Sequence, residues 1–278
     1  MSVVALMGAG GKMGLRISRN LKGCPDYKTL YVEVSDQGKA RLASLGVAVV
    51  PEGEALKQAD VVVLAVPDAV IGQICNKIVP GLRSGAMVIG LDPAAAYAGV
   101  LPKRDDITYF VAHPCHPPLF SDETDPEAQQ DFFGGAKAKQ SVVCTLFQGP
   151  EQDYAKGEAI ARVIFAPVLR AHRVTIEQMA VLEPALVETL LATFLTVLHE
   201  AADKAVAMGI PEQAVRDFLF GHVRAEIAGL FGVVDQPLSD GAKLAVEKAR
   251  AQILRPDWHK VMEIENIRQS VKDITHSA

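Results

Sequence analysis

The chain has 278 residues, 49% of them apolar and 22% charged, with a formal net charge of −5. That is enough apolar material for one large core or two ordinary ones, and too much for a disordered chain. The acidic balance, without any Lys/Arg block, excludes a nucleic-acid binder, which gains affinity by displacing counterions from phosphates. Cys24, Cys75, Cys115 and Cys144 form no C-x-x-C pair, a usage that fits reduced thiols in a cytoplasm. The opening MSVVALMGAGGKMG lacks a basic n-region and does not read as a secretory signal. The most apolar later stretch, 189–198, lies between Glu188 and His199. It is too short to span a bilayer and is expected in a buried helix. A soluble, cytoplasmic protein with no membrane partner is the expectation.

In chain order, an apolar run at 3–7 ends at glycines, and 12–21 follows with helical spacing. The next strand is expected at 29–34 and a helix at 39–45. Strands are expected at 47–50 and 59–66, with a helix at 53–58 between them. Residues 69–78 read as helix, and 86–91 and 107–112 as strands. This β-α alternation predicts a parallel sheet with helices on both faces. The run 61–66 is apolar throughout, as in strands buried on both sides. A loop rich in Pro, Asp and Glu spans 114–135. Strands are then expected at 141–147 and 168–174, flanking a helix at 151–165. After that only helices are expected, at 175–208, 212–230, 240–253 and 257–274. The fold class is therefore α/β: a Rossmann-type parallel-sheet domain, 1–172, followed by an all-helical domain, 173–278.

Gly8-Ala9-Gly10-Gly11-Lys12-Met13-Gly14 joins the first strand to the first helix. Glycine permits the tight turn and lets a pyrophosphate approach the backbone, while free N–H groups and the helix dipole attract its charge. In a dinucleotide fold an acid about 20 residues on accepts from the ribose hydroxyls. Glu33 stands at that interval, and Asp36 slightly late. An acid there repels a 2′-phosphate, so NAD is expected over NADP, tempered by nearby Lys39 and Arg41. Pro67, in Val66-Pro67-Asp68 at the end of the fourth strand candidate, is expected to wall the nicotinamide side.

His113-Pro114-Cys115-His116-Pro117-Pro118 leaves the strand at 107–112. Removing a hydride from a carbinol requires a base for the hydroxyl proton, and imidazole suits neutral pH. Cys115 reads as an ordinary buried thiol. In the helical half, Glu183 and Glu188 interrupt an apolar stretch. A carboxylate on a buried helix must be paired, protonated or metal-bound; one of the two is expected in the site, with Glu183 favoured. Pro184 should bend that helix. His222 and Glu226 stand four apart, a spacing suited to a metal or, better, an exposed ion pair.

This arrangement resembles the superfamily of 6-phosphogluconate, 3-hydroxyisobutyrate and prephenate dehydrogenases and ketol-acid reductoisomerases, which join a Rossmann domain to a helical domain that commonly dimerises. The hydroxyisobutyrate group carries a catalytic lysine at the start of its helical domain. Here no lysine occurs between Lys156 and Lys204, so that chemistry is not expected. The pair H-P-C-H-P-P and E-Q-M-A-V-L-E-P-A-L most closely resembles the D-apionate oxidoisomerase family, over nearly the whole chain. The resemblance implies oxidation of the 2-hydroxyl of a branched sugar acid by NAD, followed by a ketol-type shift. That second step favours a Lewis acid. The expected ligands of a divalent ion, Zn or Mg, are His113 and Glu183, with His116 a further ligand or the proton acceptor. A plain hydroxy-acid or prephenate-like dehydrogenase and a non-catalytic NAD sensor are the alternatives. The apolar long helix also predicts a homodimer.

Overall fold

The structure, a computed structural model, describes residues 1–276. The chain runs β1 (Ser2–Met7), α1 (Lys12–Leu21), β2 (Tyr27–Val32), α2 (Asp36–Ser44), α3 (Glu52–Gln58), β3 (Val61–Leu64), α4 (Asp68–Ile78), β4 (Met87–Gly90), α5 (Ala94–Tyr97), β5 (Thr108–Pro114), α6 (Pro126–Gln129), β6 (Gln140–Gln148), α7 (Asp153–Ile164) and β7 (Val168–Arg173). Helices follow: α8 (Ile176–Ala207), α9 (Glu212–Leu230), α10 (Asp240–Ile253) and α11 (Ile264–His276).

The seven strands form one sheet in the order β2-β1-β3-β4-β5-β6-β7. β1 to β5 pair in parallel. β6 runs antiparallel to β5, and β7 parallel to β6. Successive side chains of a strand point to opposite faces, and the two cores follow that rule. Val4, Leu6, Val61 and Val63 pack with Ile17 and Leu21 of α1 on one face. Ala5, Met7, Val62 and Leu64 pack with Ile71, Cys75 and Ile78 of α4 on the other. The expected doubly covered sheet is present, with two reversed strands, β6 and β7, that apolar patterning does not reveal.

The strand expected at 47–50 does not form: the segment touches β2 through a single bridge, Tyr31 to Val49. The chain divides into two compact units, Met1–Glu183 joined by the stretch from Arg268, and Pro184–Ile267. The first contains the whole sheet. The second holds α9, α10 and most of α8.

Two expectations about the long helix need correction. By length and composition α8 is long enough to cross a membrane: 32 residues, with a mean hydropathy of 1.7 over its most apolar window. It is also not buried, since only 11% of that window is covered, and Leu191, Phe194, Leu195 and Val197 are exposed in the single chain. Residues Val181–Leu191 form a π-helix containing Pro184. Proline cannot donate the helical hydrogen bond, and wide π turns absorb such a defect, often at functional sites.

Candidate active site

The topology reverses at β1, because β2 lies on one side of it and β3 on the other. In open α/β sheets the ligand crevice lies outside the carboxyl ends of the strands at such a point. The glycine turn leaves β1 there. Gly8 adopts φ +72, and a Cβ on it would lie 2.3 Å from the Ala65 carbonyl oxygen beyond β3. Only glycine fits both demands. A Cβ on Gly14 would lie 2.0 Å from the Gly8 carbonyl oxygen, so the turn folds onto the start of α1. Gly11 caps α1 without a side-chain hydrogen bond. The first-turn N–H groups of Lys12, Met13 and Gly14 therefore suit an anion. The Lys12 side chain is exposed and Met13 packs on the core. Pro67 caps α4 from across the crevice.

Glu33, just after β2, accepts from Gly10 N at 2.8 Å through Oε2. Its Oε1 accepts from Val34 N, Ser35 N and Ser35 Oγ, each at 2.9 Å. Burial alone would raise its pKa; the donors from Ser35, Gly10 and Val34 outweigh this and hold it below the usual carboxylate range.

The second cluster lies further along the same edge. His113 is the penultimate residue of β5, and its Nδ1 lies 2.8 Å from the Leu91 carbonyl oxygen beyond β4. A carbonyl only accepts, so Nδ1 carries the hydrogen and Nε2 is left as the lone-pair nitrogen. That Nε2 lies 3.3 Å from Glu183 Oε2. Two acceptors face each other, and a proton or a cation is needed between them. Ile176 and Met179 of α8 pack with Ala96 of α5 and Val111 of β5, which fixes where Glu183 emerges. Glu188 is exposed.

Asp92, a residue the sequence did not single out, completes the cluster. Its Oδ1 accepts from Ala94 N at 2.7 Å, and its Oδ2 lies 3.9 Å from His113 Nδ1. One donor atom from each of Asp92, His113 and Glu183 falls within 4.8 Å of the other two, and this is the only such group among the described residues. Burial first, then Glu183, raises the Asp92 pKa against the pull of Ala94 N and His113. Burial and the neighbouring Asp92 push Asp68 up to about 6. Such an accumulation of half-buried carboxylates is costly unless a cation offsets it. One imidazole and two carboxylates suit a hard or borderline divalent ion and leave positions open for substrate oxygens.

His116 does not join this group. It is exposed, in the left-handed region at φ 59, with Nδ1 2.9 Å from the Phe133 carbonyl oxygen and its ring edge-on to Phe133. By the same reasoning Nδ1 carries the hydrogen of the neutral ring and Nε2 its lone pair. Cys115 is exposed rather than buried, because the loop leaves the sheet immediately after Pro114. His222 turns to Phe218, with Nδ1 2.7 Å from that carbonyl oxygen and the rings stacked at 4.1 Å.

Residues 121–275 match the family model of the phosphogluconate dehydrogenase (decarboxylating) C-terminal region. A D-apionate oxidoisomerase of Rhizobium rhizogenes is 54% identical over 99% of this chain and 100% of its own length. One from Cupriavidus necator is 51% identical over 98% and 99%. A crystal structure from Cupriavidus necator, described as a semialdehyde dehydrogenase NAD-binding protein in complex with calcium and NAD, superposes with a TM-score of 0.96. It is 51% identical and covers 99% of this chain and all of its own.

Proposed function

The chain belongs to the D-apionate oxidoisomerase family, and we propose that it oxidises the 2-hydroxyl of D-apionate and then moves a hydroxymethyl group to the neighbouring carbon, giving 3-oxo-isoapionate. The observation that carries this reading is the Asp92–His113–Glu183 cluster on the sheet edge that also bears the glycine turn. One site thus offers both a coenzyme cradle and a ligand set for a chelated hydroxy acid.

The turn from Gly8 to Gly14, with Glu33 on the ribose side and Pro67 on the nicotinamide side, would hold NAD, which would supply the acceptor for the hydride of the substrate C2. A divalent ion held by His113, Glu183 and Asp92 would polarise the carbonyl and stabilise the alkoxide during the shift. His116, whose hydrogen is fixed on Nδ1 by the Phe133 carbonyl, accepts the hydroxyl proton at Nε2. In the second step the C3 hydroxyl loses its proton and becomes the new ketone. The hydroxymethyl group migrates with its bonding pair to C2, and the former ketone oxygen regains a proton. The Leu91 carbonyl holds the His113 ring in one tautomer throughout. The test is NADH formation from D-apionate with and without a chelator. Activity lost to the chelator and restored by a divalent ion is expected; unchanged activity sinks the metal assignment.

A homodimer and a place in the aqueous phase belong to the same proposal. An apolar groove of about 290 Å³ between α8 and α9 is lined by Leu195, Leu198, Val206, Val215, Leu219 and Phe220. Glu183 and Glu188 within α8 would be expensive in a bilayer, and a second copy of the helical unit covers the same surface without that cost. Light scattering at micromolar concentration is expected to give twice the chain mass, and a monomer contradicts the dimer.

A further inference from the structure

Glu33 is held by a glycine that the dinucleotide signature does not include. Gly38 lies in the first turn of α2, and a Cβ built on it would lie 2.4 Å from Glu33 Cδ and 2.7 Å from Glu33 Oε2. From the other side, a Cβ on Gly10 would lie 2.4 Å from the Gly38 Cα and from its carbonyl oxygen. The coenzyme turn, the Glu33 carboxylate and the backbone of α2 therefore stack with no room for another carbon. Hydrogen bonds close the stack. Glu33 Oε2 takes Gly10 N, and Ser35 Oγ both donates to Glu33 Oε1 and accepts from Gly38 N at 3.1 Å. Arg41 Nη1 donates to the Gly10 carbonyl oxygen at 3.2 Å.

We infer that Gly38 is a positioning residue for coenzyme selection: its missing side chain lets Glu33 lie against the Gly10 amide, where the carboxylate admits a ribose 2′-hydroxyl and repels a 2′-phosphate. The inference rests on the reading of Glu33 as the acid on the ribose side. It goes further, because it explains why the carboxylate sits where it does. Adding a methyl at Gly38 forces a shift, and the group that can give way is the flexible Glu33 side chain rather than the Gly10 backbone. A displaced Glu33 also withdraws its negative charge from the Gly10 turn, to which Arg41 stays bonded. Lys39 pairs with Asp36 at 3.3 Å, and Arg41 donates to the Gly10 carbonyl oxygen. Both then favour a phosphate. Alanine is a better helix former than glycine, so the G38A protein is expected to fold.

Calorimetric titration of the full chain with NADH and NADPH reads the effect without needing any substrate. Wild type is expected to prefer NADH. G38A is expected to bind NADH roughly tenfold more weakly, which is about 1.4 kcal/mol, and to lose most of the preference over NADPH. The G53A control, in α3 with nothing within 4 Å of the new carbon, should match wild type. E33Q, which keeps the shape and drops the charge, should raise NADPH affinity in parallel. Should G38A be unstable, S35A loosens Glu33 from the Oε1 side and should move the ratio the same way. A G38A protein with the wild-type NADH to NADPH ratio, alongside an E33Q protein whose ratio changes, overturns the positioning role while leaving the NAD reading intact. Wild type binding neither coenzyme overturns the NAD reading and this inference with it.

Discussion

Replacing His113 by alanine is expected to lower turnover by roughly two to four orders of magnitude while leaving NAD affinity within about twofold. The coenzyme pyrophosphate is assigned to the turn after β1, whereas His113 sits at the end of β5, so the two functions separate. The size of the loss follows from what His113 touches. It faces Glu183 at 3.3 Å and Asp92 at 3.9 Å. Without it two carboxylates remain with no imidazole between them, and any divalent ion loses its nitrogen ligand. Glu183→Gln removes the opposite half of the pair and should cost as much. The double variant should be little worse than either single one, because the two side chains act as a unit. Steady-state kinetics on the three proteins provide the check. Turnover within threefold of wild type in H113A contradicts the site.

Gly14→Ala is expected to act at the other end of the edge and in the opposite manner. Its new carbon would stand 2.0 Å from the Gly8 carbonyl oxygen and 2.9 Å from the Ala9 carbonyl carbon. Those atoms are backbone and cannot swing aside, unlike the carboxylate beside Gly38. The turn must open, and overpacking of this kind costs about 1–3 kcal/mol. Opening it also moves the first-turn N–H groups of α1 away from the place proposed for the pyrophosphate. NAD affinity is expected to fall by roughly tenfold or more, with a lowered melting temperature. Calorimetry and thermal denaturation read both effects. A G14A protein that binds NAD normally would show that the coenzyme sits elsewhere.

Much of this was legible in the residues before any coordinates. The glycine turn stands out because its demands are local: a strand before it, a helix after it, and no room for side chains. His113 and Glu183 stand out because one opens the proline-rich run His113-Pro114-Cys115-His116-Pro117-Pro118 and the other interrupts an apolar helix, where a carboxylate needs a partner. Asp92 does not. Leu91-Asp92-Pro93 after a strand looks like ordinary turn chemistry, and only the pairing of β4 beside β5 brings it to His113. Gly38 escapes notice for the same reason, since its neighbours Gly10 and Glu33 meet it only through the fold. His116 shows the converse: three positions after His113 in the sequence, it follows a loop whose left-handed turn carries it to Phe133. The direction of β6 and β7 leaves no trace in apolar spacing, because strands of either sense alternate alike. The exposure of α8 has a different origin. Apolar residues around a helix announce burial without saying whether the same chain or another supplies the cover.

The most direct measurement is carbon NMR of the product formed when the protein, NAD, a divalent ion and D-apionate are incubated together. Stoichiometric NADH should accompany a rearranged acid whose ketone lies at C3, with every carbon retained. An unrearranged 2-oxo acid, a shortened ketone with release of carbon dioxide, or no NADH at all would contradict the oxidoisomerase reading of the Asp92–His113–Glu183 site.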